Sequence, residues 1–304
     1  MCKREKFCQE GEKMKIRTDL IIEVDSLEAG TIVNEKIVSD KNVEISGVAV
    51  KEVWNAEHSI KITTIQIRTE DGAKAMQRPI GTYITMELPE LLQEEEELKE
   101  KAEKELEKQL RVLLQGKAAE HILVVGLGNR EVTADAIGPL TIEQLFVTRH
   151  LFPKEKEASE QLKKYRKVSA LVPGVMAQTG METMELIRGI VEETHPDMVL
   201  VIDALAARSP KRLNTTIQLT DTGISPGAGV GNNRKELNET TLGCPVIAIG
   251  VPTVLDAVTI AREDVVEDVA YLFVMPRNID SSVQYVSELL AGGINRVSKK
   301  KARG

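Results

Sequence analysis

Two aspartates, each carried by an apolar run, are the side chains of this chain best placed to do chemistry. The first lies in VVGLGNREVTADAIGP, Val124 to Pro139, where an apolar run enters Gly126 and Gly128 and then a loop holding Asp135. The second lies in VLVIDALAARS, Val199 to Ser209, where Asp203 follows apolar residues and is expected at or just past a strand end. A carboxylate in such surroundings costs several kcal/mol unless it is paired, hydrogen-bonded or protonated, so structure alone seldom calls for one. Two carboxylates meeting across a crevice allow two chemistries. Sharing one proton, they divide into a base that activates water and an acid that protonates the carbonyl oxygen or the leaving nitrogen. Holding a metal, they lower the pKa of its bound water instead. His58, His121, His150 and His195 lack metal-ligand spacing, which ranks the metal second. Non-catalytic roles stand beside these: Asp135 as the N-cap of the following helix, and Asp203 as a hydrogen-bond partner of a nearby loop.

A third segment, SPGAGVGNNRKE (Ser225 to Glu236), brings Gly227, Gly229 and Gly231 close together. Glycines at that density let main-chain amides approach a peptide or an anion, with Asn232, Asn233, Arg234 and Lys235 at hand to orient it; a plain surface loop is the alternative. No G-K-[ST] follows, so this is not a P-loop, and Glu131 stands where G-x-G-x-x-G needs its third glycine. A G-x-S-x-G elbow is missing, and Cys244, between Gly243 and Pro245, reads as a small core residue. Arg208, with Arg149 and His150, is near enough in sequence to the expected rim to bind a carboxylate.

These residues need a frame. From Gly116 onward, Ile122–Gly128, Val168–Gly174, Asp197–Leu205, Thr216–Thr220 and Cys244–Pro252 are apolar without alternation, as strands buried on both faces are. Several are separated by segments of helical length, which predicts an α/β fold, three-layer α/β/α, around a parallel or mixed central sheet. Loops at the carboxyl ends of such strands line the ligand crevice, where Asp135 and Asp203 fall. Helices are predicted over Arg262–Phe273 and Ile279–Gly292, then a solvated tail with Lys299, Lys300, Lys301 and Arg303. Upstream, Asp19–Val24, Gly47–Val53, Ser59–Ile67 and Thr82–Leu88 predict a small, mostly antiparallel sheet, and Pro89–Gly116 an amphipathic helix with a solvated Glu/Lys face. The expected regions are therefore 1–19, a β-rich portion with its charged helix over 20–115, and an α/β domain over 116–304.

Composition narrows the classes. The 304 residues carry 40 Lys and Arg against 47 Asp and Glu, a net charge of −7, which argues against a binder that neutralises phosphates. Aromatic residues at 3% argue against a stacking platform. Cys2, Cys8 and Cys244 make no disulfide framework, and no apolar stretch is long enough to span a bilayer, so a reducing cytoplasm is expected.

Several segments, in one order along the chain, resemble the germination protease family, endopeptidases that degrade small acid-soluble spore proteins. They are RTDL (Arg17 to Leu20), VVGLGNREVTADAIGP, VTRHLF (Val147 to Phe152), VSALVPGVMAQTGMET (Val168 to Thr183), DMVLVIDALAARS, Leu213 to Ile260, and AGGIN (Ala291 to Asn295). The resemblance implies an atypical aspartic peptidase with Asp135 and Asp203 as its catalytic acids and no cofactor. It also implies a fold like that of hydrogenase-maturation endopeptidases, whose equivalent acids bind metal, so Asp135 and Asp203 remain alternative metal ligands. Further implications are a homotetramer and a zymogen that removes residues 1–19 as a pro-segment by cutting between Asp19 and Leu20. The expected location is the cytoplasm of the forespore and spore core, without direct nucleic-acid or membrane partners. Arg208, Gly227, Gly229, Gly231 and Asn232 are expected to seat an extended peptide. Ile21 departs from the family's usual Ala, and the stretch between Ile260 and Arg277 is short. A nonenzymatic binding protein on the same fold is the remaining class.

Overall fold

The structure, a computed structural model, describes residues 18–24, 30–33, 36–39, 44–55, 59–117, 119–153, 158–227, 235–260, 269 and 272–300. Its strands are β1 (Gly30–Val33), β2 (Lys36–Ser39), β3 (Glu44–Asn55), β4 (Ile60–Ile67), β5 (Gly81–Glu87), β6 (His121–Gly126), β7 (Lys167–Leu171), β8 (Met198–Ala207), β9 (Thr216–Thr220), β10 (Val246–Asp256) and β11 (Phe273–Val274). Its α-helices are α1 (Glu70–Met76), α2 (Glu96–Leu114), α3 (Ile137–Glu143), α4 (Met176–Thr179), α5 (Thr183–Thr194), α6 (Glu239–Leu242) and α7 (Ile279–Ser298).

All the strands form one mixed sheet in the order β1-β2-β3-β4-β5-β9-β10-β8-β6-β7, with β11 added antiparallel to β10. The upstream strands are antiparallel, as their alternation predicts, but they are not a separate small sheet. β9 pairs antiparallel with both β5 and β10, joining them to the parallel set β10-β8-β6-β7. The parallel strands are buried on both faces because adjacent branched residues serve two layers. Ile122 and Val124 of β6 enter the core with α2, α3 and α7, whereas Leu123 and Val125 enter the one with α5 and α6.

On α2, Leu98, Ala102, Leu106, Leu110, Leu113 and Leu114 form the buried stripe. Its other face carries Lys101–Glu97, Lys104–Glu100 and Arg111–Glu107 ion pairs at i,i+4, the spacing that puts the partners one turn apart on a solvated face. The helix predicted from Pro89 is divided: Pro89–Gln93 is a 3-10 turn, Glu94 takes a left-handed conformation, and α2 starts after it. The predicted end of α7 at Gly292 is too early. Gly292 and Gly293 lie inside the helix, where a Cβ would stand 2.2 Å from Glu103 Oε1 and 2.6 Å from Leu106 Cδ2 respectively. Close packing on α2, rather than a helix stop, explains that glycine pair. The tail is held as far as Lys300, whose N–H donates to the Lys164 carbonyl at 2.8 Å; Lys301 and Arg303 lie outside the described residues.

Three further differences are local. Asp19–Val24 is no strand: Ile21–Glu23 is a 3-10 turn. Its apolar side chains serve two clusters, Leu20 packing with Leu205, Ala207, Leu213 and Leu255, and Ile21 with Val48, Val50, Ile65 and Met76. An apolar run this short has no period to separate a strand from a seam. Helix α1 was not foreseen; Thr69 caps it by accepting from the Gly72 N–H at 3.2 Å. The helix predicted over Arg262–Phe273 lies mostly outside the described residues, and Phe273, its expected end, begins β11.

Candidate active site

The loop that carries Asp135 begins where β6 ends. Leu127 N–H still donates to the Ile202 carbonyl at 2.8 Å, and Gly128, at φ +108°, then turns the chain away from the sheet. Asn129 N–H reaches both the main-chain oxygen of Asp135, at 3.1 Å, and its carboxylate Oδ2, at 2.9 Å. Thr253 Oγ1 of β10 donates to the Ala134 carbonyl at 2.6 Å, and Gln178 Nε2 of α4 donates to Asn129 Oδ1 at 3.2 Å. The loop is thereby closed on itself and pinned to two other elements. Asp135 does not cap α3; that position belongs to Ala136, with no side-chain hydrogen bond. Gly126 and Gly138 let α3 lie against β6, since a Cβ at Gly138 would stand 2.3 Å from the Leu127 carbonyl oxygen.

Asp203 is not at a strand end. It lies within β8, which runs on to Ala207. The strand ends around it instead: β6 pairs with β8 only as far as Gly126 opposite Ile202, whereas β10 continues to Leu255 opposite Ala207. Asp203 is thus the first residue of β8 beyond its shorter neighbour, in a notch at the carboxyl end of the parallel strands. Its side chain is 6% exposed, and its Oδ1 accepts from the Ala204 N–H at 3.0 Å. Alternation puts it on the Val199 and Val201 face, whereas Ala134 and Ala136, on either side of Asp135, pack with the core on the other face.

Asp135 and Asp203 line one cavity of about 350 Å³, together with Thr183, Thr253, Gly227 and Asp19. That volume suits a short stretch of peptide. Of the residues expected to seat a peptide, Gly227 is on the wall. Arg208 is absent from the wall among the described residues, and Gly229, Gly231 and Asn232 lie outside them. The base of their loop is closed by the Ile224–Leu237 bridge. Arg149 is not at the rim: its charge acts on His121, the first residue of β6, at the opposite end of the strand. Burial, and then Arg149, lower the His121 pKa, and its Nε2 meets Ser169 Oγ at 2.9 Å. Cys244 is a buried core residue as expected, and burial raises its thiol pKa. Among the described residues, no group of three or more His, Cys, Asp and Glu side chains is placed to hold a metal ion.

Asp19 reaches the cavity because the segment after it is anchored. Its N–H donates to the Ala206 carbonyl at 3.0 Å, and its carboxylate Oδ2 accepts from the Ala206 N–H at 2.8 Å. Leu20 and Ile21 are fully buried, as is Glu23. The Glu23 carboxylate accepts from the Arg208 N–H at 2.6 Å and the Ser209 N–H at 2.9 Å, and pairs with Arg212 at 3.0 Å. Removing one partner of a buried ion pair leaves the other desolvated, so Glu23→Ala is expected to lower stability by about 3–5 kcal/mol. The check is a fall in the urea midpoint at unchanged slope. A midpoint within error of the parent contradicts this anchoring.

Sequence reasoning missed Glu23, Thr253, Asn129, and Arg78 and Gln218, whose side chains each donate to the Asp19 carbonyl. Only Glu23 carried a signal, a carboxylate inside the apolar run Leu20–Val24. Thr253 and Gln218 have none, because their partners are 119 and 199 residues away.

Comparison with known proteins places the chain in a family. A family model described as germination protease matches residues 21–270. A germination protease of Caldanaerobacter subterraneus subsp. tengcongensis is 48% identical over 250 residues, covering 82% of this chain and 72% of its own. One from Bacillus pumilus is 47% identical over 254 residues, covering 83% of this chain and 66% of its own. One from Clostridium tetani is 41% identical over 320 aligned positions, covering 93% and 95%. The [NiFe] hydrogenase maturation protease HycI from Thermococcus kodakarensis KOD1 aligns with 61% of this chain and 98% of its own, at 18% identity and a TM-score of 0.34, too low to carry a structural argument.

Proposed function

Because this chain belongs to the germination protease family and is a peptidase, we propose that Asp135 and Asp203 hydrolyse peptide bonds as an acid/base pair, without a cofactor. Small acid-soluble spore proteins are the proposed substrates. The observation that carries this reading is that both carboxylates line one cavity, which the chain's own Asp19 also enters. One carboxylate takes a proton from water as the water oxygen bonds to the carbonyl carbon. The other, protonated at the start, gives its proton to the amide nitrogen, and the C–N bond breaks to leave a carboxylate and an amine. An unfolded substrate presents its main chain to such a cavity without prior unfolding.

The same pair is proposed to cut the chain's own Asp19–Leu20 bond, making residues 1–19 a pro-segment. The burial of Leu20, Ile21 and Glu23 supports this, since the residues after the cut stay docked while those before it are released. Residues 1–17 lie outside the described residues. A homotetramer working in the cytoplasm of the forespore and spore core completes the reading. Among the described residues, no helix is long and apolar enough to cross a membrane.

The test is mass-spectrometric mapping of a small acid-soluble spore protein incubated with the full chain or with a chain beginning at Leu20, each with and without chelator. A discrete cut after an acidic residue, made at once by the shorter chain and indifferent to chelator, is expected. Loss on chelation, restored by added metal, moves the mechanism to a metal held by the two aspartates. A shorter chain no more active than the full one overturns the pro-segment, and absence of any cut overturns the proposed substrate.

A further inference from the structure

We infer that Arg78 and Gln218 hold the Asp19–Leu20 peptide bond and stabilise the negative charge that develops on its carbonyl oxygen when the chain cuts itself. This rests on the self-processing reading above. Arg78 Nη2 donates to the Thr18 carbonyl at 3.2 Å and to the Asp19 carbonyl at 3.3 Å. Gln218 Nε2 donates to the same Asp19 oxygen at 3.4 Å, while its Oε1 accepts from the Ile21 N–H at 2.8 Å. One amide thus grips the chain on both sides of the bond, and a guanidinium shares the oxygen of that bond's carbonyl.

Anchoring a segment does not by itself require this arrangement. Leu20, Ile21 and Glu23 already fix the segment by burial and by the Glu23 contacts. What Arg78 adds is a positive charge on a carbonyl oxygen, the atom that becomes negative when water adds to its carbon. At 3.3 and 3.4 Å both contacts are long for a neutral carbonyl, leaving room to shorten as charge develops. Both donors sit on fixed supports. Gln218 is buried on β9 between Thr85 of β5 and Gly250 of β10. Arg78 follows the left-handed cap of α1 at Gln77, and its own N–H donates to the Ala73 carbonyl at 3.2 Å.

In the step itself, the base carboxylate takes a proton from water as the water oxygen bonds to the Asp19 carbonyl carbon, and the carbonyl electron pair moves onto the oxygen held by Arg78 and Gln218. When that pair returns, the bond to the Leu20 nitrogen breaks and the nitrogen leaves with a proton from the acid. Arg78 and Gln218 keep their protons throughout.

The experiment follows the first-order appearance of a new N-terminus at Leu20 in the full-length chain, from acid to neutral pH, for the parent, Arg78→Ala, Arg78→Lys and Gln218→Met. Thermal midpoints are recorded for each. Loss of one oxyanion donor is expected to slow the cut by about 10²-fold, with Arg78→Lys recovering part of the rate because it restores the charge. The Arg78 variants are expected to keep the parental midpoint, whereas Gln218→Met also removes the acceptor of the buried Ile21 N–H and is expected to lower it. If the parent cuts at Asp19–Leu20 and Arg78→Ala does so at the parental rate, the carbonyl role is wrong while self-processing stands. Slowing found only in variants with a lowered midpoint, and not relieved by Arg78→Lys, also overturns it in favour of a structural role. A parent that cuts at another bond, or never, overturns the processing reading and this inference with it.

Discussion

Asp135→Asn and Asp203→Asn are each expected to lower kcat for peptide hydrolysis by about 10²- to 10⁴-fold, the range that follows when a proton-transferring group is removed from the reacting bond. Folding is expected to stay intact. Asparagine keeps the size of aspartate and retains an oxygen for the bonds that hold each side chain, from the Asn129 N–H to Asp135 and from the Ala204 N–H to Asp203. What it loses is the ability to take or give a proton at the cavity wall. The two replacements are expected to be strongly non-additive, because neither member of an acid/base pair works alone. Steady-state kinetics on one cleavable peptide, with thermal midpoints for all variants, decide the matter. A single variant that keeps more than a tenth of parental kcat removes its aspartate from the chemistry. A variant whose midpoint collapses calls for single-turnover measurement on the fraction that remains folded.

Gly128→Ala is expected to be nearly as damaging, although glycine has no chemistry of its own. A Cβ at this position would stand 2.0 Å from the Asp135 carbonyl oxygen and 2.9 Å from its Oδ1, and the main chain is at φ +108°. The clash is with backbone, so Asp135 itself has to move. We expect a stability loss of about 2–4 kcal/mol from strain and overpacking together. Displacement of the carboxylate by an ångström or so is expected to lower kcat by about 10²-fold. Gly243→Ala separates the causes. Gly243 is also left-handed, at φ +71°, but nothing lies within 4 Å of its added Cβ. It should show a smaller stability loss, about 1–2 kcal/mol, and parental kcat. If Gly128→Ala behaves like Gly243→Ala, the close approach to Asp135 has no functional weight.

The germination protease family model matches residues 21–270, which include Asp135, Asp203, Gly128 and all of the anchored Leu20–Glu23 segment except Leu20. Each prediction therefore concerns residues within or beside that shared region.

Composition, the apolar runs and the motifs around Asp135 and Asp203 were enough to read the layered α/β fold and to bring those two residues forward. The reason is local: strands buried on both faces have to be apolar throughout, and a carboxylate inside such a run stands out against that chemistry. Everything that depends on distant pairing came from the tertiary structure. β9 joins the antiparallel and parallel halves into one sheet, and no local pattern in Thr216–Thr220 names β5 and β10 as its partners. Asp203 was expected at a strand end and is instead exposed to the cavity because β6 stops beside Ile202 while β8 continues. Leu20–Val24 looks like a strand, yet it is a seam whose side chains divide between two clusters and whose Glu23 meets main-chain amides 185 residues away or more. Residue type and spacing therefore determined which groups are able to react. Contacts between segments far apart in the chain decided which of them share a cavity, because only folding supplies their neighbours.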